Sequence, residues 1–170
     1  MTLRLILIRH AKSTWDDPMQ EDHDRPLNDR GRRAAPAIGA WLAENGYVPA
    51  EVVSSTARRT LETWECMQGA FVDDGALVRR EPDLYHAAPD TMLRVLRHCA
   101  ASPVLMLGHN PGIGALASHL VSERPSHSRF GAYPTCATLV VDFDAEDWAD
   151  VTPGTGTVVD FIVPNDLDTK

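Results

Sequence analysis

The chain has 170 residues, 44% of them hydrophobic and 24% charged, which suits one compact domain spanning 1–170 and excludes wholesale disorder. Sixteen Lys and Arg against 24 Asp and Glu leave a net charge of −8, the wrong sign for a general nucleic-acid binder, whose phosphate partners demand a basic surface. The early apolar run Leu5 to Ile8 is far too short for a membrane span or signal-peptide core, and three cysteines (Cys66, Cys99, Cys136) without a CxxC pair predict a reducing, cytoplasmic home.

Residues 3–8 (LRLILI) form a short apolar run ending at Arg9-His10, the pattern of a buried central strand. The polar, proline-punctuated stretch from Lys12 to Leu27 is long for a loop, and such loops often carry function. Asn28 is placed to cap a helix opening at Asp29-Arg30. Ala34, Ala37, Ile38, Trp41 and Leu42 then recur at helical spacing until Asn45-Gly46, with Pro36 inside the helix or in its first turns. Val52-Val53 reads as a second strand ending at Ser54-Ser55, followed by a helix over Ala57 to Met67. Ala76 to Val78 is a weak strand, and Pro89 to Cys99 a helix with proline in its first turn. Residues 103–107 (PVLML) are a strand ending at Gly108-His109, and Asn110-Pro111 predicts a helix start with asparagine as cap and proline at the first helical position. Ala137 to Val141 and Val158 to Val163 are β-branched runs, separated by an acidic segment, Asp142 to Asp150, expected as a solvated surface turn. Strands alternating with helices specify an α/β sandwich with a largely parallel sheet.

Three apolar strands thus run into short polar signatures: Arg9-His10, Ser54-Ser55-x-x-x-Arg59 and Gly108-His109-Asn110. In open α/β sheets ligands bind beyond the carboxyl ends of the strands, so the three signatures should converge on one pocket. Two histidines, arginine forks and free N–H groups at helix starts suit a phosphate group. No P-loop is present, so nucleotide-hydrolase chemistry is not indicated. Each residue alone has a blander role: a strand-end histidine or arginine is commonly a hydrogen-bonded or ion-paired group, and Ser54-Ser55 is first of all a helix cap. Their conjunction in this order is what points to chemistry.

RHAKSTW at 9–15, DRPLNDRGRR at 24–33, SSTARRTLET at 54–63, LYHAAPDTML at 84–93 and GHNPGIG at 108–114 resemble the histidine phosphatase superfamily, and within it the small SixA-type phosphohistidine phosphatases. The likeness runs in register over residues 3–120. It implies a three-layer α/β/α sandwich of the phosphoglycerate mutase-like fold, with a mostly parallel central sheet. It implies that His10 attacks phosphorus and becomes phosphorylated, that His109 contacts the phosphoryl oxygens, and that Arg9, Arg59 and Arg25 bind phosphate; Arg58 competes with Arg59 should the register slip by one. Such an enzyme needs no metal or other cofactor, and the seven histidines form no HExxH or comparable ligand pattern.

The sequence also departs from the pattern. Ala11 stands where glycine is commonest and Thr56 where proline often follows the serine. The glutamate that larger members use as general acid has no obvious counterpart in EPDLYHAAPD; Glu81, Asp83, His86, Asp17 and Asp22 are candidates, each expected in a surface or capping role. A missing acid suits a substrate whose leaving group departs unaided, as an imidazole does. The short chain leaves little to close over a small molecule, so an open pocket with Lys12, Trp15 and Tyr85 at its rim would admit a phosphorylated side chain of another protein. The expected activity is therefore phosphatase action on protein phosphohistidine by a cytoplasmic monomer in signal transduction. The alternatives are a small-molecule phosphomonoester or phosphoanhydride hydrolase, or a non-catalytic phosphoprotein-binding module.

Overall fold

The structure is a computed structural model that describes residues 1–71 and 75–167. In chain order the elements are β1 (Thr2–Arg9), α1 (Asp29–Glu44), β2 (Glu51–Ser54), α2 (Arg58–Met67), β3 (Leu77–Arg80), α3 (Pro89–Arg97), β4 (Val104–Gly108), α4 (Gly112–Leu120), β5 (Thr138–Asp144) and β6 (Thr157–Ile162), with short 3-10 turns between several of them. The described strands form a six-stranded sheet in the order β3-β2-β4-β1-β5-β6. Neighbours from β3 to β1 pair in parallel; β5 runs against both β1 and β6, so it alone opposes the common direction.

The period-two geometry of a strand explains the layers. Leu5 and Leu7 of β1, with Val104 and Met106 of β4, face a core shared with Met92 and Leu96 of α3 and Ile113 and Leu116 of α4. Ile6, Ile8, Leu105 and Leu107 point the opposite way, into a core with Ile38 and Leu42 of α1 and Trp64 and Met67 of α2. A strand buried on both faces is apolar at successive positions, as Leu5 to Ile8 are, while the half-buried Arg4 pairs with Asp142 on the neighbouring β5. The fold is the expected three-layer sandwich.

The helix starts are only partly as predicted. Asn28 does cap α1, its Oδ1 accepting from Gly31 N–H at 2.9 Å, and Pro36 sits inside the helix on its exposed side. At α4 the helix begins at Gly112, with Pro111 flanking it rather than occupying its first turn. Asn110 still accepts from Gly114 N–H at 3.1 Å, but it stands two residues before the helix, where its amide also donates to the carbonyls of Ala132 and Tyr133. The serines before α2 do not cap it: Ala57 precedes the helix without a side-chain cap bond. The acidic segment is not a solvated turn throughout. Strand β5 continues to Asp144, Asp142 pairs with Arg4 at 2.7 Å, and Trp148 is 1% exposed with its indole N–H donating to Ala101 O.

Candidate active site

Sheet order brings together what the sequence keeps far apart. Strands β1, β4 and β2 are parallel neighbours, with Arg9 level with Gly108 and Ser54 level with Leu107. Their polar continuations therefore leave the sheet side by side, and His10 N–H donates to Gly108 O at 3.2 Å. The rings of His10 and His109 lie 5.3 Å apart between centroids. Both line a pocket of about 230 Å³ that also takes in Arg9, Arg25 and Arg59. All five residues singled out from the sequence thus meet at one place.

His10 is 5% exposed, and its Nδ1 lies 2.7 Å from the carbonyl oxygen of Ala11. A carbonyl only accepts, so Nδ1 carries the ring proton and Nε2 keeps the lone pair. The Ala11 backbone is itself fixed: its N–H donates to the Thr63 hydroxyl at 2.9 Å, and that hydroxyl donates to Arg59 O. Arg59 and Thr63 are four residues apart on α2, so one helix face supplies both a guanidinium and this brace. Burial, helped by the charges of Arg9, Arg59 and Arg25, pushes the His10 pKa down to about 3, against the opposing pull of the Ala11 hydrogen bond. His109 is driven down to about 2, by burial first and then by His10, Arg59 and His86. Both imidazoles are neutral at pH 7.

Arg59 is 2% exposed and donates to the carbonyl and carboxylate of Asp22 at 2.7 and 3.0 Å. Arg58 instead faces solvent and pairs with Glu62 at 2.8 Å, so of the two it is Arg59 that lines the pocket. Arg25 donates to Ser13 Oγ, Thr14 O and Asp22, and its guanidinium lies 3.4 Å from the centroid of Trp15. Arg9 donates to Tyr133 O at 3.3 Å; burial, and then the Arg59 charge, lower its pKa from the ordinary value. Three buried nitrogens on the pocket residues have no hydrogen-bond partner among the described residues: Nε of Arg9, Nε of Arg59 and Nδ1 of His109. Leaving a donor buried and unpaired costs about 1–3 kcal/mol, a cost that the oxygens of an anion would remove.

The second strand end contributes more than its expected cap. Ser55 Oγ lies 2.8 Å from His109 Nε2 and accepts from Ala57 N–H. When the Ser55 hydroxyl donates to Nε2, the single proton of neutral His109 rests on Nδ1. A serine beside a helix start gave no sign of this in sequence; only the level pairing of β2 with β4 does.

Of the five proton-donor candidates, Glu81 binds Asp83 N–H in a turn, Asp83 pairs with Arg94, and Asp17 accepts from Met19 N–H on an exposed turn. Asp22 and His86, by contrast, line the pocket, against their expected surface or capping role. The loop from Lys12 to Leu27 folds its 3-10 turn, Asp22–Asp24, over α2, and His86 takes a left-handed backbone (φ 51°) that brings its ring within 5.2 Å of His109. Asp22 Oδ2 accepts from Arg59, the Tyr85 hydroxyl and His86 Nε2. Burial works to raise the Asp22 pKa, but the hydrogen bonds from Tyr85, His86 and Arg59 together with the Arg59 charge outweigh it and hold the carboxyl far below the usual range. Asp22 is therefore an anion that orders the arginines, with no proton to give. Lys12 and Trp15 stand at the rim, the latter 73% exposed, while Tyr85 reaches the site through Asp22. Among the described residues no group of His, Cys, Asp or Glu is arranged to hold a metal ion, and no helix is long and apolar enough to cross a membrane.

Comparison with known proteins adds family context. The profile of the histidine phosphatase superfamily (branch 1) matches residues 5–88. An uncharacterised protein of Mycobacterium tuberculosis is 36% identical over 168 residues, covering 92% of this chain and 99% of its own length. Two solved SixA structures, each bearing the name of a phosphohistidine phosphatase, superpose with TM-scores of 0.78. The one from Nakamurella multipartitia is 31% identical and matched over 96% of this chain and 97% of its own. The one from Agrobacterium tumefaciens is 28% identical, over 95% and 98%.

Proposed function

The chain belongs to the histidine phosphatase superfamily, SixA type, and from that premise we propose that it dephosphorylates protein-borne phosphohistidine through a phosphoryl intermediate on His10. The observation that carries this reading is a buried, neutral imidazole with one nitrogen tied to a carbonyl and the other without a partner among the described residues, set among likewise unpartnered nitrogens of Arg9, Arg59 and His109.

In the first step the His10 Nε2 lone pair attacks phosphorus, the new P–N bond forms and the bond to the leaving group breaks in line. The Nδ1–H···O=C contact with Ala11 stabilises the positive charge that develops on the ring. The three arginines and His109 hold the equatorial oxygens, where charge spreads in the transition state. A phosphohistidine substrate whose second ring nitrogen is protonated departs as neutral imidazole and needs no proton from the enzyme. Water then attacks phosphorus, the P–N bond to His10 breaks, and a water proton leaves with inorganic phosphate or to solvent. The ring returns to its starting tautomer.

Two features favour this substrate over an alkyl phosphate. Asp22, the carboxylate nearest the phosphate-binding arginines, is held ionised and cannot protonate an alkoxide. The rim carries exposed side chains, Trp15 and His86, on a site that a large partner can approach.

The test is His10→Ala with a substrate panel. We expect the variant to melt as a folded protein and to lose phosphate release by at least about 10³-fold. We expect wild-type kcat/KM for a phosphohistidine peptide to exceed that for sugar phosphates and nucleotides. Undiminished turnover by the variant would defeat the role of His10, and a preference for a small phosphate ester would defeat the substrate assignment.

A further inference from the structure

A second concavity, of about 290 Å³, opens beside the phosphate pocket and shares Arg9, Lys12 and Thr135 with it. Arg30, from the first turn of α1, and Arg129, from the segment before β5, complete its cationic lining. Among the described residues no acid lines it, although acids outnumber bases 24 to 16 in the chain. Nor does any of the four cations form an ion pair with a carboxylate among the described residues, whereas Arg4, Arg25, Arg32, Arg58, Arg59 and Arg94 all do. In a protein of net charge −8, a contiguous set of uncompensated cations is a local reversal of field, and it lies against the reaction centre.

Resting on the phosphohistidine reading above, we propose that this groove binds an acidic segment of the phosphorylated partner, with Arg30 and Arg129 receiving Asp or Glu side chains that flank the phosphohistidine. Lys12, Arg30 and Arg129 are exposed, on long flexible stems, so they suit several hydrated carboxylates spread along a chain. A second phosphate of a small molecule would call for buried, converging donors of the kind found around His10 and absent from this groove. The groove, lined also by Pro134, Val163 and Pro164, shares three residues with the phosphate pocket, so one extended segment can occupy both sites. Charges placed this way set partner choice and association rate, since a neutral or basic neighbour of the phosphohistidine forfeits the attraction.

The test uses fluorescent peptides carrying a stable phosphonate analogue of phosphohistidine, flanked either by Asp and Glu or by Ser and Gly. Binding is measured by anisotropy to the wild-type chain and to the double variant R30A/R129A, neither residue of which belongs to the reaction centre. We expect the wild type to favour the acidic peptide by about tenfold at low salt, and the preference to shrink as salt rises. In the double variant it should fall to within about twofold, with p-nitrophenyl phosphate turnover unchanged. Equal binding of the two peptides by the wild type would overturn the proposal, as would a preference that survives R30A/R129A. So would a small bisphosphate that outcompetes the acidic peptide through these two arginines. Failure to hydrolyse a true phosphohistidine peptide, with the acidic preference intact and lost in the double variant, would count against the substrate reading while upholding the groove.

Discussion

Arg59 keeps its guanidinium buried beside His10 with Nε unpaired, while its neighbour Arg58 engages Glu62 at the surface. Removing a donor aimed at the transition state costs on the order of 10²–10³ in rate, so Arg59→Ala should lower kcat by that factor. An exposed i,i+4 pair is worth about 0.3–0.5 kcal/mol, so Arg58→Ala should leave kcat within about twofold of wild type. Steady-state kinetics on both variants separates the two, and equal losses would mean that helix stability, not phosphate contact, is being measured. The histidines make a second prediction at this scale. His10 has a folded pKa near 3 against about 6.5 in the unfolded chain. Between those values the unfolded state binds the extra proton, so stability rises with pH across the window and is lost as pH falls from 6.5 toward 3. Thermal melts from pH 7 to 4 should therefore show a falling Tm, less steep in His10→Asn than in the wild type. Identical slopes would show that His10 is not held neutral by burial.

The elements that position these side chains meet at close backbone contacts. A Cβ added to Gly112, at the start of α4, would lie 1.9 Å from Ala87 O; one added to Gly31, in the first turn of α1, would lie 2.2 Å from Lys12 O. Neither neighbour is a flexible side chain, so the backbone itself must shift. Gly112→Ala should push the segment carrying Tyr85 and His86 away from His109 and destabilise the fold by about 1–3 kcal/mol. Denaturant melts would register that loss, and an unchanged midpoint would show that the two segments are not in contact. These contacts were not legible in the sequence, because a glycine's closeness to a distant carbonyl leaves no periodic signature. What was legible were the apolar runs of the central strands, whose buried parts are Leu5 to Ile8 and Val104 to Leu107. The half-exposed β3 was faint, since Leu77 and Val78 on an edge strand need no partner pattern. The run Ala76 to Val78 begins one residue before the strand, Leu77–Arg80, and ends two short of it.

At the level of the whole molecule, the order β2-β4-β1 turns three scattered signatures into one site, and chain topology rather than local spacing makes that happen. That His10, His109, Arg9 and Arg59 share a pocket was readable because each belongs to a signature at the carboxyl end of a parallel strand. Asp22 and His86 were not, because a carboxylate in a long polar loop and a histidine in a turn look like ordinary surface residues until the loop is folded over α2. The same topology sets the four cations of the groove, none ion-paired among the described residues, against the reaction centre of an acidic protein. All of this rests on His10 accepting the phosphoryl group. Rapid denaturing quench at alkaline pH, after mixing the enzyme with substrate labelled in the phosphoryl group, followed by peptide mapping, reads that directly. The account predicts acid-labile label, up to one group per chain, on the peptide containing position 10, and none in His10→Ala. Label on any other residue, or label retained by that variant, would contradict it.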